Sequence, residues 1–249
     1  MADGALQGRV VAITGASSGI GEATALACAH AGARVSLAAR RGEQIQALAK
    51  RIEAEGGEAL AIPTDVSDEA QARHFIYATH ERFGRLDALV NNAGVMQLGP
   101  IAGAPTDEWR RMVAVNIFGV LYCTHAALEY MRPQKDGHIL NVSSVGGKVL
   151  GTYSGVYSLT KFGIGAFTEA LRKESLDDNI RVTSIVPGST ATELRSHTRP
   201  EVLEKILPGF AGVTPLEADD IARAVLYALE QPANVSVSEV VVRAAKQGM

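Results

Sequence analysis

Seven short apolar runs, each separated from the next by a longer stretch, constrain this chain more than any other feature. The runs fall at residues 9–14, 34–39, 58–62, 86–91, 138–143, 181–186 and 239–242. Several are apolar almost without interruption, which is the composition a strand needs when both faces of a parallel sheet are covered. The stretches between them carry helical period. Ile45, Leu48, Ala49 and Ile52 fall at i, i+3, i+4 and i+7, with Lys50, Arg51 and Glu53 off that stripe. Gly56-Gly57 then supplies a stop. An earlier helix is expected over 19–31, ending at Gly32. A later one is expected to start after Thr106, with Asp107 and Glu108 near its positive end, to run past Tyr130 and to stop before Pro133. Strand and helix in alternation imply a doubly wound, seven-stranded parallel α/β sheet of the Rossmann type. No linker, repeat or charge block divides the chain, so a single domain over 1–249 is expected. Only 188–215 break the alternation, with Pro200, Pro208, Gly209 and Gly212 interrupting any period. A substrate lid is expected there, over about 189–214; the plainer alternative is a surface excursion with a short helix over 201–207.

Composition excludes several function classes. The 249 residues carry 24 Lys plus Arg and 27 Asp plus Glu, a formal charge of −3. Nucleic acid is bound by concentrated basic faces and is not an expected partner. With 47% apolar and 20% charged residues, wholesale disorder is excluded. Cys28 and Cys123 cannot build a disulfide framework and read as buried thiols in a reducing compartment. Residues 1–8 are too short and polar for a signal peptide, and no apolar run approaches the ~18 residues of a membrane helix. A cytoplasmic protein without a membrane partner is therefore expected. The six histidines lack metal-ligand spacing, and no metal site is expected.

The chemistry begins after the first run, at Thr14-Gly15-Ala16-Ser17-Ser18-Gly19-Ile20-Gly21. A strand, a glycine turn and a helix follow in the order that dinucleotide binding requires: glycines let a pyrophosphate approach the backbone, and helix-terminal amides attract it. Ala39 stands where an NAD site carries an acidic residue for the ribose hydroxyls, and Arg40 and Arg41 follow it. A guanidinium pairs with a 2′-phosphate, so NADP(H) is the expected cofactor; the alternative is that both arginines are solvated charges opening a helix. Tyr157 and Lys161 lie four apart in an expected helix and so share a face. A nearby ammonium, aided by an oxidised nicotinamide, favours the phenolate, lowers its pKa and makes it a usable acid–base group. Ser144, thirteen positions before Tyr157, closes a strand. Asn91-Asn92-Ala93-Gly94 and Pro187-Gly188 also mark strand ends, which in a parallel sheet converge on one crevice.

Together with Asn116, these motifs resemble those of a short-chain dehydrogenase/reductase, and the match runs from Arg9 to about Val242. The resemblance implies roles. Tyr157 would be the general acid in reduction and general base in oxidation. Lys161 would hold the nicotinamide ribose, and Ser144 would bind the substrate oxygen. Asn116 would support a water leading to Lys161, or simply pack in its helix. Gly15, Ser17, Ser18, Gly19, Ile20 and Gly21 would cradle the pyrophosphate. Asp65, followed by Val66, would bind the adenine amino group, or form an ordinary Asx turn. Asn92, Ala93 and Gly94 would lie beside the adenosine half. Thr190 and Thr192, after Pro187 and Gly188, would bind the carboxamide or pyrophosphate. The family's spacing selects Ser144 over Ser143.

Met96, residues 145–150 and the lid candidates Leu194, His197 and Phe210 are expected to form a mostly apolar pocket for a small-molecule carbonyl or alcohol, while Arg195 and His197 offer an alternative for a carboxylate. The segments 188–195 and 239–243 resemble a subgroup of NADP-dependent reductases that includes hydroxy-acid and clavulanic acid dehydrogenase-like enzymes. Phe118, Leu121, Tyr122, Phe162 and Phe167 offer an apolar face for a homo-oligomer, a dimer or tetramer. Trp109 and Met112 read as core or subunit contact. The competing readings are a non-catalytic NADP(H)-binding regulatory or sensor protein, and a nucleotide-sugar enzyme of the family's extended branch. The intact Ser144, Tyr157 and Lys161 speak against the first, and the glycine spacing and short C-terminal portion against the second.

Overall fold

The computed structural model describes residues 4–248, without the side chains at 207 and 210. Its seven strands are β1 (Val10–Thr14), β2 (Arg34–Ala39), β3 (Glu58–Pro63), β4 (Ala88–Asn91), β5 (Gly137–Val142), β6 (Ile180–Pro187) and β7 (Glu239–Val242). They form one sheet in the order β3-β2-β1-β4-β5-β6-β7, every pair parallel. The expected single doubly wound sheet is present. The central strands β1, β4, β5 and β6 are buried along their whole length, as strands of a parallel sheet covered on both faces are. β7 at the edge alternates exposed and half-buried residues. Strand ends move by one or two residues from expectation. β4 begins at Ala88 rather than Leu86, because the Leu86 amide donates to the Gln134 side chain instead of the ladder (3.1 Å).

Helices cover both faces. On one lie α1 (Gly19–His30), α2 (Gly42–Ala54) and α8 (Ala218–Leu229), around a core that includes Ile13, Val35, Leu37, Ile45, Ile52 and Val225. α2 buries Ile45, Leu48, Ala49 and Ile52, the stripe read from the sequence. α1 has no such stripe; its buried face is Gly21, Ala23, Thr24, Ala25 and Cys28, and these small side chains let it lie close to α8. On the other face lie α3 (Glu69–Phe83), the long run from Thr106 to Gln134, and α6 (Gly155–Glu174). α3 starts where the Asp68 carboxylate accepts from the Gln71 amide (3.0 Å) and ends at left-handed Gly84. Cys28 and Cys123 are buried and unpaired with each other, and burial pushes both thiols up to about 12.

The long run departs from expectation twice. It consists of α4 (Thr106–Val113), a π-helical turn (Ala114–Phe118) and α5 (Gly119–Gln134). Pro133 lies inside its last turn rather than beyond its end. A proline there removes a single helical donor, and the chain leaves the helix two residues later through left-handed Lys135. The expectation that no helix has membrane length is also corrected, since Thr106–Gln134 is long and apolar enough by length and composition. Its residues Cys123, Ala126, Ala127 and Met131 are buried with Phe75, Leu89 and Ile139, as in a core helix. The lid segment is ordered into a 3₁₀ turn (Glu193–His197), α7 (Pro200–Ile206) and a second 3₁₀ turn (Leu207–Phe210). Phe210, expected to face the pocket, has its side chain outside the described residues.

His138, the second residue of β5, is 1% exposed. Its Nε2 lies 2.7 Å from the Thr183 hydroxyl, which itself donates to the Val237 carbonyl, so Nε2 is the donor. Burial first, then Arg181 and Arg9, pushes the imidazole down to about 3. The folded chain therefore keeps His138 neutral while the unfolded chain takes up a proton below about pH 6.5. Stability from this group is complete above that value and is lost as pH falls toward 3, at about 1.4 kcal/mol per pH unit. Urea unfolding at successive pH values is expected to show a shallower loss in His138→Gln than in wild type; parallel curves would refute this origin.

Candidate active site

The strand ends meet as the sequence requires, and the crevice opens where β1 and β4 send their chains to opposite faces. On one side is the glycine turn. Gly15 adopts φ +67°, and a Cβ there would lie 2.8 Å from the Ala93 Cα. A Cβ at Gly21 would lie 2.2 Å from the Gly15 carbonyl oxygen, so the helix start can close on the turn only as glycine. Ile20 packs into the core. Ser18 precedes α1 in extended conformation but makes no side-chain cap, which leaves the first amides of α1 to other acceptors.

Arg41 reaches across this turn. Its Nε and Nη2 donate to the Ser17 hydroxyl (3.1 and 2.9 Å), and Nη2 also donates to Ser18 (2.6 Å). Arg40, the first of the two arginines read from the sequence, is exposed and makes no such contact. Asn92 and Ala93 brace the turn from β4. The Asn92 Nδ2 donates to the carbonyls of Thr14 (2.9 Å) and Gly15 (3.2 Å), and both backbone amides donate to the Thr14 hydroxyl (3.0 Å each). Gly94 lies further along, where a Cβ would be 3.8 Å from the Lys161 Nζ, on the Lys161 side of the crevice rather than beside Asp65. Asp65 forms the Asx turn, accepting from the Ser67 amide and hydroxyl (3.0 and 2.6 Å). Val66 is buried against Gly119.

The opposite side is built on α6 and the end of β5. Tyr157 and Lys161 are both buried, 6% and 7% exposed. The Tyr157 hydroxyl is hydrogen-bonded to Ser144. Gly146 makes that meeting possible, since a Cβ there would stand 3.1 Å from the tyrosine ring and 3.4 Å from the Ser144 Oγ. Gly147 lies so close to α6 that a Cβ would be 2.8 Å from the Lys161 carbonyl oxygen. Ser143 is excluded as the partner, because its hydroxyl donates to that carbonyl (3.2 Å).

Lys161 Nζ donates to the Val142 carbonyl (2.9 Å) and sits 5.9 Å from the centre of the Tyr157 ring. Burial pushes the ammonium down to about 8. In the chain by itself the Tyr157 phenol shifts upward. Desolvation raises its pKa above the usual 10, and the Ser144 hydrogen bond only partly offsets this. The polypeptide by itself therefore keeps Tyr157 protonated. Asn116, in the π turn, spends its amide on other partners: Oδ1 accepts from the Val95 amide (2.8 Å), and Nδ2 donates to the Val95 carbonyl (2.9 Å) and Thr160 hydroxyl (3.1 Å). Its side chain joins the β4 loop to α6 and makes no bond to Lys161.

The segment after β6 runs along the crevice edge. Pro187 ends β6, and Gly188 donates to the Val242 carbonyl (2.7 Å). The Thr190 hydroxyl donates back to Gly188 (3.1 Å), while Thr192 packs over Gly19. The Thr198 hydroxyl donates to the Met96 carbonyl (3.1 Å) and accepts from the Leu98 amide (3.2 Å). Burial, followed by Arg111 and Arg40, lowers the His197 pKa. Sequence reasoning missed Glu193, whose carboxylate accepts from Ser18 (3.0 Å) and Arg41 (2.9 Å). It also missed a buried amide chain. The Asn91 Nδ2 donates to Thr124 (3.0 Å) and Asn141 (2.9 Å), and Asn141 donates to Thr168 (2.9 Å). Two asparagines amid apolar strands were the available signal.

Comparison with known proteins identifies the family. The short chain dehydrogenase family model matches residues 9–203. An uncharacterized oxidoreductase of Staphylococcus saprophyticus is 39% identical over 244 residues, covering 97% of this chain and 98% of that one. The closed form of serine dehydrogenase complexed with NADP+ superposes with a TM-score of 0.89 at 27% identity, covering 96% of each chain. An alcohol dehydrogenase from the archaeon Thermococcus sibiricus, complexed with 5-hydroxy-NADP, gives 0.86 at 30% identity, covering 97% of this chain and 98% of that one. A glycine turn, a serine bonded to a buried tyrosine and a lysine one helical turn on, carried on this sheet and matched across most of the length, make the chain a member of the short-chain dehydrogenase/reductase family of oxidoreductases.

Proposed function

We propose that this protein is an NADP(H)-dependent oxidoreductase that transfers a hydride between the nicotinamide and the carbonyl or secondary alcohol carbon of a small or medium-sized substrate. The observation that carries this reading is the buried Tyr157 hydroxyl, bonded to Ser144 beside the Lys161 ammonium, in the crevice bounded by the glycine turn. The residues fit such a coenzyme. Gly15 leaves the backbone open to close approach, the uncapped amides of α1 suit a phosphate, and Arg41 with Ser17 and Ser18 forms a donor set for a 2′-phosphate. Two structural relatives were solved with NADP+ and 5-hydroxy-NADP, which supports the same choice.

When bound, the coenzyme supplies the hydride and, in its oxidised form, a positive charge beside the phenol. The chain supplies the proton. Ser144 hydrogen-bonds the substrate oxygen and stabilises the charge that develops there. Tyr157 gives its proton to that oxygen in reduction and takes it back in oxidation. Its raised pKa suits the first direction, since an acid must arrive protonated. Lys161, still cationic at neutral pH, holds the nicotinamide ribose and draws the phenol toward ionisation. Asn116, through Val95 and Thr160, keeps this helix in register with the β4 loop. A non-catalytic sensor is not favoured, because a protein that only binds a nucleotide has no use for an ammonium stripped of water.

Tyr157→Phe is expected to lower turnover by about 100-fold or more in a screen of ketones, aldehydes, keto acids and sugars, with the NADPH dissociation constant little changed. Near-normal turnover in that variant would refute the mechanism. Arg41→Ala is expected to weaken NADPH about tenfold or more and to leave NADH nearly unaffected, measured by fluorescence titration; equal losses for both would refute the 2′-phosphate assignment. The exposed rings of Phe118 and Phe162, with Leu159, support assembly of like chains through α5 and α6. Light scattering is expected to find a dimer or tetramer that Phe162→Glu dissociates, and a monomeric wild type would refute it.

A further inference from the structure

We propose that Glu193 is a determinant of coenzyme choice, because its carboxylate holds the seat between Arg41 and Ser18 that an incoming 2′-phosphate must take. The inference rests on the NADP(H) reading above. One carboxylate oxygen of Glu193 accepts from both the Ser18 hydroxyl (3.0 Å) and the Arg41 Nη1 (2.9 Å). The same guanidinium spends its remaining nitrogens on Ser17 and Ser18. The Arg41 and Ser18 donors are therefore turned toward the lid residue or toward the serines of the turn.

The lid is seated there by more than one contact. Thr192, the residue before Glu193, places its methyl 3.0 Å from where a Cβ of Gly19 would lie. The 3₁₀ turn of the lid thus starts directly over the start of α1. Ser18 stands at the helix N-cap, yet its hydroxyl goes to Glu193 and caps nothing. The arrangement is that of an anion site with an anion of the chain in it.

The occupant is displaceable. The Arg41 and Glu193 side chains are 42% and 59% exposed. Ion pairs at that exposure are weak, whereas a phosphate brings greater charge and more acceptor oxygens to the same donors. NADPH must break the Glu193 contact to gain Arg41; NADH, which has no 2′-phosphate, need not. Glu193 therefore opposes NADPH selectively, and its release also frees the start of the lid. If Glu193 merely held Arg41 in position, its loss would weaken NADPH, so the two accounts differ in sign.

The test compares wild type with Glu193→Gln, which keeps the size of the side chain and removes its charge. Dissociation constants are measured for NADPH, NADH and adenosine 2′,5′-bisphosphate by titration calorimetry. The expected result is that NADPH and the bisphosphate bind about two- to fivefold tighter to Glu193→Gln, with NADH unchanged. In an Arg41→Ala background the same substitution is expected to have no effect. Unchanged or weaker NADPH binding in Glu193→Gln would overturn the proposal while leaving the NADP(H) reading intact. A wild type that binds neither NADPH nor the bisphosphate would overturn that reading, and the proposal with it.

Discussion

The two halves of the crevice are held together by a clamp of hydrogen bonds between the end of β1 and the loop after β4. The Thr14 hydroxyl accepts from two successive amides, at Asn92 and Ala93, and the Asn92 side chain returns two bonds to the carbonyls of the glycine turn. The clamp is needed because the helices after these strands pack on opposite faces of the sheet, so the chains diverge just where a ligand would enter. Without it, the phosphate-facing turn and the β4 loop that passes Lys161 would shift independently. The distance between a held phosphate and the proton-bearing side chains would then have no fixed value.

The other half is fixed by polar groups buried at a cost that the local bonding offsets. Asn91, Asn141, Thr124 and Thr168 link two central strands to α5 and α6. The amide donors find partners while the Asn91 Oδ1 has none, and such a buried network specifies one packing where apolar contacts would allow several. Lys161 follows the same logic. Its ammonium gives a hydrogen bond to Val142 and lies over the Tyr157 ring, yet burial still moves it toward neutrality. A group that titrates close to working pH is easily biased by a charge arriving next to it.

Much of this was legible in the sequence. The parallel, doubly wound sheet follows from alternation, and the stripe of α2 follows from period. The residues that meet in the crevice were legible because strand ends on one edge of a parallel sheet must converge. What was hidden depends on contacts between distant segments. Arg40 and Arg41 are adjacent and chemically alike, and only the path of the chain into α2 decides that Arg41 reaches Ser17. The upward pull of burial on the tyrosine was hidden because a spacing of four conveys proximity to a charge and nothing about desolvation. Pro133 misled because its effect depends on how many turns follow it. Gly146 and Gly147 were read only as part of a pocket lining, and their need to be glycine emerges from the ring and helix beside them.

The π turn at Ala114–Phe118 carries a different kind of implication. Such a turn holds one residue more than the α-helical path between the same points. The surplus residue brings Asn116 round to Val95 while α4 and α5 each keep their apolar faces inward. Deleting it would rotate everything downstream by about 100° about the helix axis, turning Cys123 and Met131 away from the sheet. Insertions and deletions are tolerated in surface loops, but here the count of residues between Trp109 and Met131 is as tightly bound as their identity.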